Sequence, residues 1–474
     1  MKKFIYLCIA FVLPLSIFAQ EDEALIADET ITQEENIFSL EEFLAMVKKH
    51  HPVVAQANLK ISEAEAKLLK ARGAFDPKLE GGMKEKNYHG TEYYSLWNGS
   101  FKVPMWYGID LKADYEQNDG YYLNGQNTTP EDGIFSVGVS VRVLRGLLYN
   151  ERMNAVKQGK ILQNQNELER DILVNSILAE ATKAYADWKL YYENREVYAD
   201  FVENAEIRFN GISRSSELGE TRAIDTVETK IFLRNRKLDL EQASLKLQKA
   251  KLNLSNYLWI DEIPVELEDQ LIPQITEESI LNNLGIDNFL GNAEDLSDHP
   301  ELRSLEYDLQ SYDLDIRLRK NNLLPTVDVE YNFLTEEPDE PTYLNTHDYK
   351  AGVKVKFPIF LRKERGDLRL ARVKRENTEY KFDQKEWNLK NKIRATEREI
   401  ISLQDQLEII ENIVIESGIM VASEKRLFEV GESSIFLINS RENKLIDSQL
   451  KQNKIQNDYF KAAAKLFENL RLNL

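Results

Sequence analysis

The fold is decided by a stretch that occurs twice, as HPVVAQANLKISEAEAKLLKARGAFDP at residues 51–77 and as HPELRSLEYDLQSYDLDIRLRKNNLLP at residues 299–325, 248 positions further on. Each copy opens with a His-Pro pair and continues with apolar residues at helical spacing. Each ends at a proline, Pro77 or Pro325, after which the pattern becomes that of a strand. A unit that recurs at this distance predicts two structural halves of one fold.

The N-terminus has the pattern of a secretory signal. Two lysines precede an apolar run, and a small residue, Ala19, stands at a cleavage position. The run is too short to be a membrane anchor. We therefore predict a signal peptide at residues 1–19, followed by a flexible acidic segment at residues 20–38. The only cysteine, Cys8, lies inside the signal, so the mature chain has no thiol for a disulfide or a metal.

The charge balance argues against a nucleic-acid partner. Asp and Glu number 80 against 61 Lys and Arg, a formal net charge of −19. Such a surface repels phosphate backbones, although an acidic balance also serves simple solubility. After the signal, no run of eighteen apolar residues occurs that would predict a transmembrane helix.

Apolar and polar residues alternate after both prolines, over residues 77–146 and in a predicted β-hairpin at residues 325–360. Runs of about ten such residues with many aromatics are typical of membrane-spanning β-barrel strands, although strands of a soluble sheet alternate too. If these are barrel strands, the lipid-facing residues are Val137, Val139, Val141, Val353, Val355 and Phe357. The residues expected to line the barrel lumen are Ser140, Arg142, Lys354 and Lys356.

Long helical patterns follow each set of strands, and both are interrupted once by a Gly-Glu pair. We predict helical hairpins at residues 150–258 and 364–474, with tips near Gly219 and Gly431. The helix after the first tip has two apolar stripes about 200° apart. One stripe is Ile224, Ile231, Leu238, Leu245 and Leu252, and the other is Leu233, Leu240, Leu247 and Leu254. A helix with two stripes needs a neighbour on each side, as in a wall of helices.

These patterns together divide the mature chain into two repeats and a linker. The predicted first repeat, residues 39–260, contains helices at 39–73, strands at 77–146 and the first helical hairpin. The linker, residues 261–298, is acidic. The predicted second repeat, residues 299–474, contains a helix at 299–322, the β-hairpin and the second helical hairpin.

The sequence carries no motif of catalysis or of cofactor binding. The five histidines have no metal-ligand spacing. The His-Pro pairs at residues 51 and 299 indicate helix starts instead. There is no phosphate-binding glycine loop, nucleophile elbow or dinucleotide fingerprint. We expect no cofactor, no metal and no enzymatic activity.

The order of these features resembles the TolC-like outer-membrane efflux protein family. The resemblance covers almost all of the mature chain and rests on both His-Pro starts and both closing prolines. It also rests on the strand exit at 140–146, on Gly219-Glu220 through Glu228, on Phe357-Pro358-Ile359, and on Gly431-Glu432 through Arg441. It implies a mixed α and β membrane protein, a trimeric outer-membrane β-barrel continued by a periplasmic α-helical coiled-coil tunnel.

The resemblance also implies a function and its partners. Such proteins are export channels of tripartite efflux or type I secretion systems in the outer membrane of Gram-negative bacteria. They work as homotrimers in outer-membrane lipid, with a periplasmic adaptor (membrane fusion) protein and an inner-membrane transporter. The expected docking residues at the tips are Gly219, Glu220, Gly431, Glu432 and Ser433. The candidates for a pore constriction are Asp225, Glu228 and Asn439.

Several alternatives stay open at this point. The family gives four barrel strands per protomer, whereas the first strand region here is longer than the second by about one hairpin, so six is also open. The acids of the first tip either cap a helix or ring the pore. A periplasmic coiled-coil adaptor without a barrel is the main competing function, but such a protein has no reason to carry aromatic-rich strands. A secreted hydrolase has no motif behind it.

Overall fold

The computed structural model describes residues 36–286, 296–336 and 346–471. Its helices are α1 (Leu40–His50), α2 (Pro52–Arg72), α3 (Glu151–Glu217), α4 (Ala223–Ser255), α5 (Glu277–Asn283), α6 (Pro300–Asn321), α7 (Arg362–Glu429) and α8 (Ile435–Leu470). Its strands are β1 (Ile37–Ser39), β2 (Lys78–Tyr88), β3 (Thr91–Pro104), β4 (Ile109–Asp119), β5 (Ile134–Arg142), β6 (Trp259–Ile260), β7 (Ile263–Pro264), β8 (Ile272–Gln274), β9 (Thr326–Thr335) and β10 (Tyr349–Lys356). No helix in these ranges combines the length and the apolar character needed to cross a bilayer. The predicted signal peptide and most of the acidic segment lie outside the described residues.

The two His-Pro pairs start α2 and α6 in the same way. Nδ1 of His51 accepts a hydrogen bond of 3.2 Å from the N–H of Val53. Nδ1 of His299 accepts one of 3.2 Å from the N–H of Glu301. The proline that follows each histidine occupies the first helical turn, where its missing N–H costs nothing. Each histidine is thus an N-cap, with a ring nitrogen in the role usually taken by a Ser or Asp oxygen.

One six-stranded antiparallel sheet contains the strands from both halves of the chain. Its order is β2-β3-β4-β5-β9-β10, so the second-half hairpin pairs with the last strand of the first half. The described residues therefore hold six strands in this sheet, four before α3 and two after α6. Phe357, expected to face lipid, lies just after the end of β10.

The two faces of this sheet differ in chemistry, because residues that pair across strands share a face. The apolar face carries Leu79, Met83, Trp97, Phe101, Leu111, Val137, Val139, Val141, Val329, Tyr331, Val353 and Val355. The opposite face carries Glu80, Lys102, Asp110, Lys112, Glu116, Arg142, Asp328, Glu330, Lys350, Lys354 and Lys356. The alternation that the sequence analysis found is therefore a property of the whole sheet.

The long helices form one layer, which we call the helical wall. Near the sheet, α3 lies between α2 and α6, as the ion pair of Lys60 with Glu169 at 3.1 Å shows for one side. Further along, α3 lies between α4 and α8, and α8 also packs on α7. The wall therefore has α2 and α4 along one edge and α7 along the other. The strand order of the sheet matches this order of helices. The outer strand β2 follows α2 in the chain, and the opposite outer strand β10 precedes α7.

The main apolar core lies where α1, α3 and α8 meet the segment that joins the two halves. Tyr185 and Trp188 of α3 are fully buried there, with ring centroids 5.3 Å apart at 89°. The Tyr185 hydroxyl donates to the carbonyl of Phe38 and accepts a hydrogen bond of 2.9 Å from the N–H of Gln274. It thus ties the parallel β1–β8 pair to the wall. Phe38, assigned from sequence to the flexible segment, belongs to β1.

Candidate channel surfaces

The first helical hairpin turns at Gly219. This residue has φ +79°, a left-handed conformation that glycine adopts without steric cost. Its N–H bonds the carbonyl of Ser216 at 3.0 Å, and the N–H of Glu220 bonds the carbonyl of Ser215 at 2.9 Å. This pair of bonds is a Schellman motif, which satisfies carbonyls at the end of α3. Gly219 and Glu220 are both exposed.

The second helical hairpin ends its first helix with the same motif. Gly431 has φ +80°. Its N–H bonds the carbonyl of Phe428 at 3.0 Å, and the N–H of Glu432 bonds the carbonyl of Leu427 at 2.9 Å. The local rule that only glycine fits this position without strain is why both tips were visible in the sequence.

Apolar side chains accompany both tips and are largely exposed. They are Leu218, Ile224, Val430 and Phe436. Exposed apolar groups around a polar turn are the composition expected of a surface that binds another protein. Of the residues expected to dock a partner, Ser433 is half-buried, and its hydroxyl donates to Glu424 of α7.

Asn439, expected at a pore constriction, is buried within the protomer. Its Oδ1 accepts a hydrogen bond of 2.8 Å from Nη1 of Arg208 on α3. The other guanidinium nitrogen of Arg208 pairs with Glu442, which is also buried and lies 3.5 Å from Nζ of Lys425. This buried cluster holds α3, α7 and α8 together just behind the tips. No local sequence pattern marks this cluster, because its members are far apart in the chain.

The two acids of the first tip stand in different surroundings. Asp225 is half-buried in the first turn of α4, and its carboxylate lies 3.4 Å from Arg222. An acid in this position complements the positive end of the helix dipole. Glu228, one turn later, is exposed. The structure thus gives Asp225 a capping environment and leaves Glu228 open to solvent.

The residues expected in the barrel lumen share the charged face of the sheet. Ser140 pairs with Glu330, and Nε of Arg142 lies 3.1 Å from Asp328. Lys354 pairs with Asp328 and Lys356 with Thr326. All four thus lie on one face of the sheet, and their place in a barrel lumen stays a prediction.

Further ion pairs line this face that the sequence analysis did not single out. Asp110 lies 3.0 Å from Lys102 and 2.8 Å from Arg152 of α3, and these cations hold its carboxyl group close to the junction of sheet and wall. Lys112 lies 2.7 Å from Glu330 across β5. The alternation in the sequence shows that these charged residues share a face of the sheet. It does not show which of them form ion pairs, because the partners are set by pairing between strands that are distant in the chain.

Comparison with known proteins agrees with this architecture. Residues 293–470 match the family model of the outer membrane efflux protein. The structure is similar to the CmeC outer membrane channel of Campylobacter jejuni, with 13% identity, coverage of 91% of this chain and 85% of that one, and a TM-score of 0.63. It is similar to the open state of the MtrE outer membrane channel of Neisseria gonorrhoeae, with 12% identity, 91% and 88% coverage, and a TM-score of 0.65.

A third solved structure, the outer membrane protein VceC of Vibrio cholerae, shares 13% identity, with coverage of 91% of this chain and 95% of that one and a TM-score of 0.63. Identities this low show a shared fold and nothing finer. No curated protein matches the chain. The second half of the chain thus carries the sequence pattern of the outer membrane efflux protein family, and the fold of these channels extends over 91% of the chain.

Proposed function

We propose that the protein is the outer-membrane export channel of a tripartite efflux or type I secretion system. It is a passive conduit from the periplasm and an inner-membrane pump to the exterior of a Gram-negative cell. One observation carries this proposal: a six-stranded sheet with one apolar and one charged face continues directly into a wall of helices whose two edges are both apolar and exposed.

The sheet has the chemistry of a barrel wall. In a membrane barrel, the apolar face meets lipid and the polar face lines an aqueous lumen. Here Val353 and Val355 are exposed on the apolar face. On the other face, charges are held by ion pairs such as Lys112–Glu330. The charged face, with Ser140, Arg142, Lys354 and Lys356, therefore lines the lumen in our proposal.

The edges of the wall have the chemistry of a subunit boundary. On α4, Ile224, Ile231, Leu238, Leu245 and Leu252 each expose more than half of their surface. On α7, the same holds for Val373, Tyr380, Trp387, Ile401 and Ile415. The α4 set recurs every seven residues and the α7 set every seven or fourteen, a spacing that favours coiled-coil packing. The α4 edge of one copy packs on the α7 edge of the next, and such head-to-tail contacts close into a ring.

Three copies complete the ring, the number that the family resemblance implies. The tunnel formed by the helices extends into the periplasm, and its tips dock a periplasmic adaptor through Gly219, Glu220, Gly431, Glu432 and Ser433. Glu228, exposed near the first tip, contributes negative charge at the tunnel mouth, with Asp225 beside it.

The competing function, a periplasmic adaptor or scaffold without a barrel, leaves the sheet unexplained. An adaptor in water would expose the valines of the apolar face and both edges of a long sheet, which are aggregation hazards. Burial in a bilayer and pairing between copies remove both hazards.

Membrane fractionation and bilayer recording together test the proposal. The mature protein is expected in the outer-membrane fraction, as a trimer after chemical crosslinking in detergent, and the purified trimer is expected to conduct ions across a planar bilayer. A protein found only in the soluble periplasm would overturn the proposal and favour the adaptor.

A further inference from the structure

We infer that β2 of one copy pairs with β10 of the next, so that each copy contributes six strands to the barrel, and that Glu80 lies opposite Lys354 or Lys356 across this seam. The inference rests on the proposed channel function and adds to it the strand count and the register of the subunit contact. With three copies, the barrel has about 18 strands, a size at which known barrels leave an aqueous channel.

The two outer strands of the sheet have free edges within the described chain. β2 pairs only with β3, and β10 only with β9. Every residue of both strands is exposed, whereas most residues of each strand between them are half-buried or buried. An unpaired edge of this length is a template for another strand. In a membrane its backbone groups must find partners, so the edges have to close on each other.

The direction of the strands fits this closure. All five junctions in the sheet are antiparallel, so the first and last of its six strands run in opposite directions. A copy of β10 placed beside β2 therefore continues the antiparallel pattern without interruption. An odd number of strands per copy would have made the seam parallel.

The two sheet faces restrict the register of the seam. Leu79 on β2 and Val355 on β10 lie on the apolar face, and Glu80 and Lys354 lie on the charged face. The faces stay continuous only when residues of the same face pair, since a shift of one residue exchanges them. The register is therefore limited to every second position.

Barrel geometry narrows the register further. The residue pairing leads from Leu79 through Phe101, Ala113, Val137 and Phe333 to Tyr349. Strands in membrane barrels tilt by about 35–45° from the barrel axis. From one copy to the next there are six strand-to-strand steps of about 4.8 Å. With this tilt, a row of paired residues meets the next copy roughly 20–29 Å further along the strand, which is about 6–9 residues.

Only even displacements keep the faces, so the displacement is about six or eight residues. Tyr349 then pairs with Glu85 or with Asn87 of the next copy. A displacement in the opposite sense would place its partner at Gly73 or Ala71, at the end of α2 and outside the sheet. The first register puts Lys354 opposite Glu80, and the second puts Lys356 there.

The charges at the seam complement each other in both registers. Within the described residues, neither Glu80 nor these two lysines form an ion pair in their own copy, although other charges of this face do so. An opposite pair across antiparallel strands is stabilising. The seam thus supplies the partner that Glu80 lacks in one copy.

Paired cysteines test the seam in the assembled protein, since the mature chain is expected to have no cysteine of its own. The test variants are Glu80→Cys with Lys354→Cys and Glu80→Cys with Lys356→Cys. Glu80→Cys with Val355→Cys is the matched control, because Val355 lies between the two lysines but on the other face. After oxidation, one of the two test variants is expected to give covalent dimers and trimers on a denaturing gel, and the control is expected to stay monomeric.

The outcomes separate the seam from the channel function. If amine crosslinking shows trimers in the outer membrane but neither test variant links, the seam is wrong and the channel function stands. If the control links as well as the test variants, the register is wrong. If the protein forms no trimer in the outer membrane, the proposed function fails, and the seam fails with it.

Discussion

The guanidinium group of Arg208 on α3 and the carboxylate of Glu442 on α8 form an ion pair in which the carboxylate is buried and the Arg208 side chain is only 13% exposed. A second guanidinium nitrogen donates to Asn439 at 2.8 Å. Lys425 of α7 approaches the same carboxylate to 3.5 Å. One helix of the first hairpin, α3, and both helices of the second, α7 and α8, are thus joined by charge at one point behind the tips.

Removal of one partner of this pair is expected to destabilise the tip region. Arg208→Met leaves the buried Glu442 carboxylate with Lys425, at 3.5 Å, as its remaining cation and without its buried partner, at a cost of about 3–5 kcal/mol. Hydrogen exchange of the backbone amides of α8 near residue 439 is the measurement, and exchange is expected to accelerate there and not in the sheet.

The double variant Arg208→Met with Glu442→Leu provides the control for this prediction. Because it removes both charges, it is expected to recover most of the lost protection. Protection that falls further in the double variant than in either single variant would contradict a coupled pair.

The two stripes of α4 are expected to respond differently to charge. Leu254, on the inner stripe, is fully buried against the wall, so Leu254→Asp buries an unpaired charge and unfolds the hairpin at a cost of several kcal/mol. Leu238 and Leu245, on the outer stripe, are exposed in the protomer. The double variant Leu238→Asp and Leu245→Asp is therefore expected to keep its helical circular dichroism while losing trimers in native mass spectrometry. Trimers that persist unchanged would remove α4 from the subunit boundary.

The sequence predicted those features of the fold that are local. Turn conformation and strand period depend on neighbouring residues. A helix end at a glycine, or a strand in an alternating run such as Phe135 to Val141, can therefore be predicted from the sequence. The strand β2 lies within the region predicted to form strands, residues 77–146, but its bounds were not predicted, since Gly81 and Gly82 interrupt the alternation. The environment of Asn439 was also not predictable, because its partner Arg208 is 231 positions away.

Stability is expected to decrease with acidification through the two capping histidines. Burial lowers the pKa of His299, and the hydrogen bond of 2.9 Å between its Nε2 and the carbonyl of Asn469 opposes this only in part. Burial also lowers the pKa of His51. Both pKa values lie below the unfolded value of about 6.5. The contribution of the two histidines to the free energy of unfolding is therefore fully present above about pH 6.5, and it is lost as the pH falls from there through the lower folded pKa.

The variant His51→Asn with His299→Asn tests this pH dependence. Asparagine keeps an N-cap acceptor but does not titrate, so the melting temperature of the variant is expected to change less between pH 7 and mildly acidic pH, about 5, than that of the wild type. His89→Asn, in an exposed turn, is the matched control and is expected to behave like the wild type. An unchanged slope in the double variant would assign the acid sensitivity to other groups.

The orientation of the sheet in the membrane is open to thiol labelling. Lys354 and Val355 are neighbours in β10 on opposite faces. In membranes, a water-soluble thiol reagent is expected to label Lys354→Cys from the proposed lumen and to spare Val355→Cys on the face proposed to meet lipid. Labelling of both at equal rates would mean that the sheet lies in water on both faces.

The acids of the first tip are expected to act on ions through Glu228 more than through Asp225. Asp225 lies in the first turn of α4, 3.4 Å from Arg222, where its charge is partly neutralised and serves the helix end. Asp225→Asn is therefore expected to lower stability by a few tenths to about 1 kcal/mol and to change conduction little.

Glu228 is exposed, and three copies near the tunnel axis would favour cations over anions at the mouth. Glu228→Gln is expected to reduce the cation selectivity of the purified trimer, measured as the reversal potential in a salt gradient across a planar bilayer. Glu220→Gln, which removes an exposed acid of the same tip outside the helix, controls for loss of charge alone. If Glu228→Gln leaves the reversal potential unchanged while the trimer stays intact, the acidic ring does not exist and the first tip serves only capping and docking.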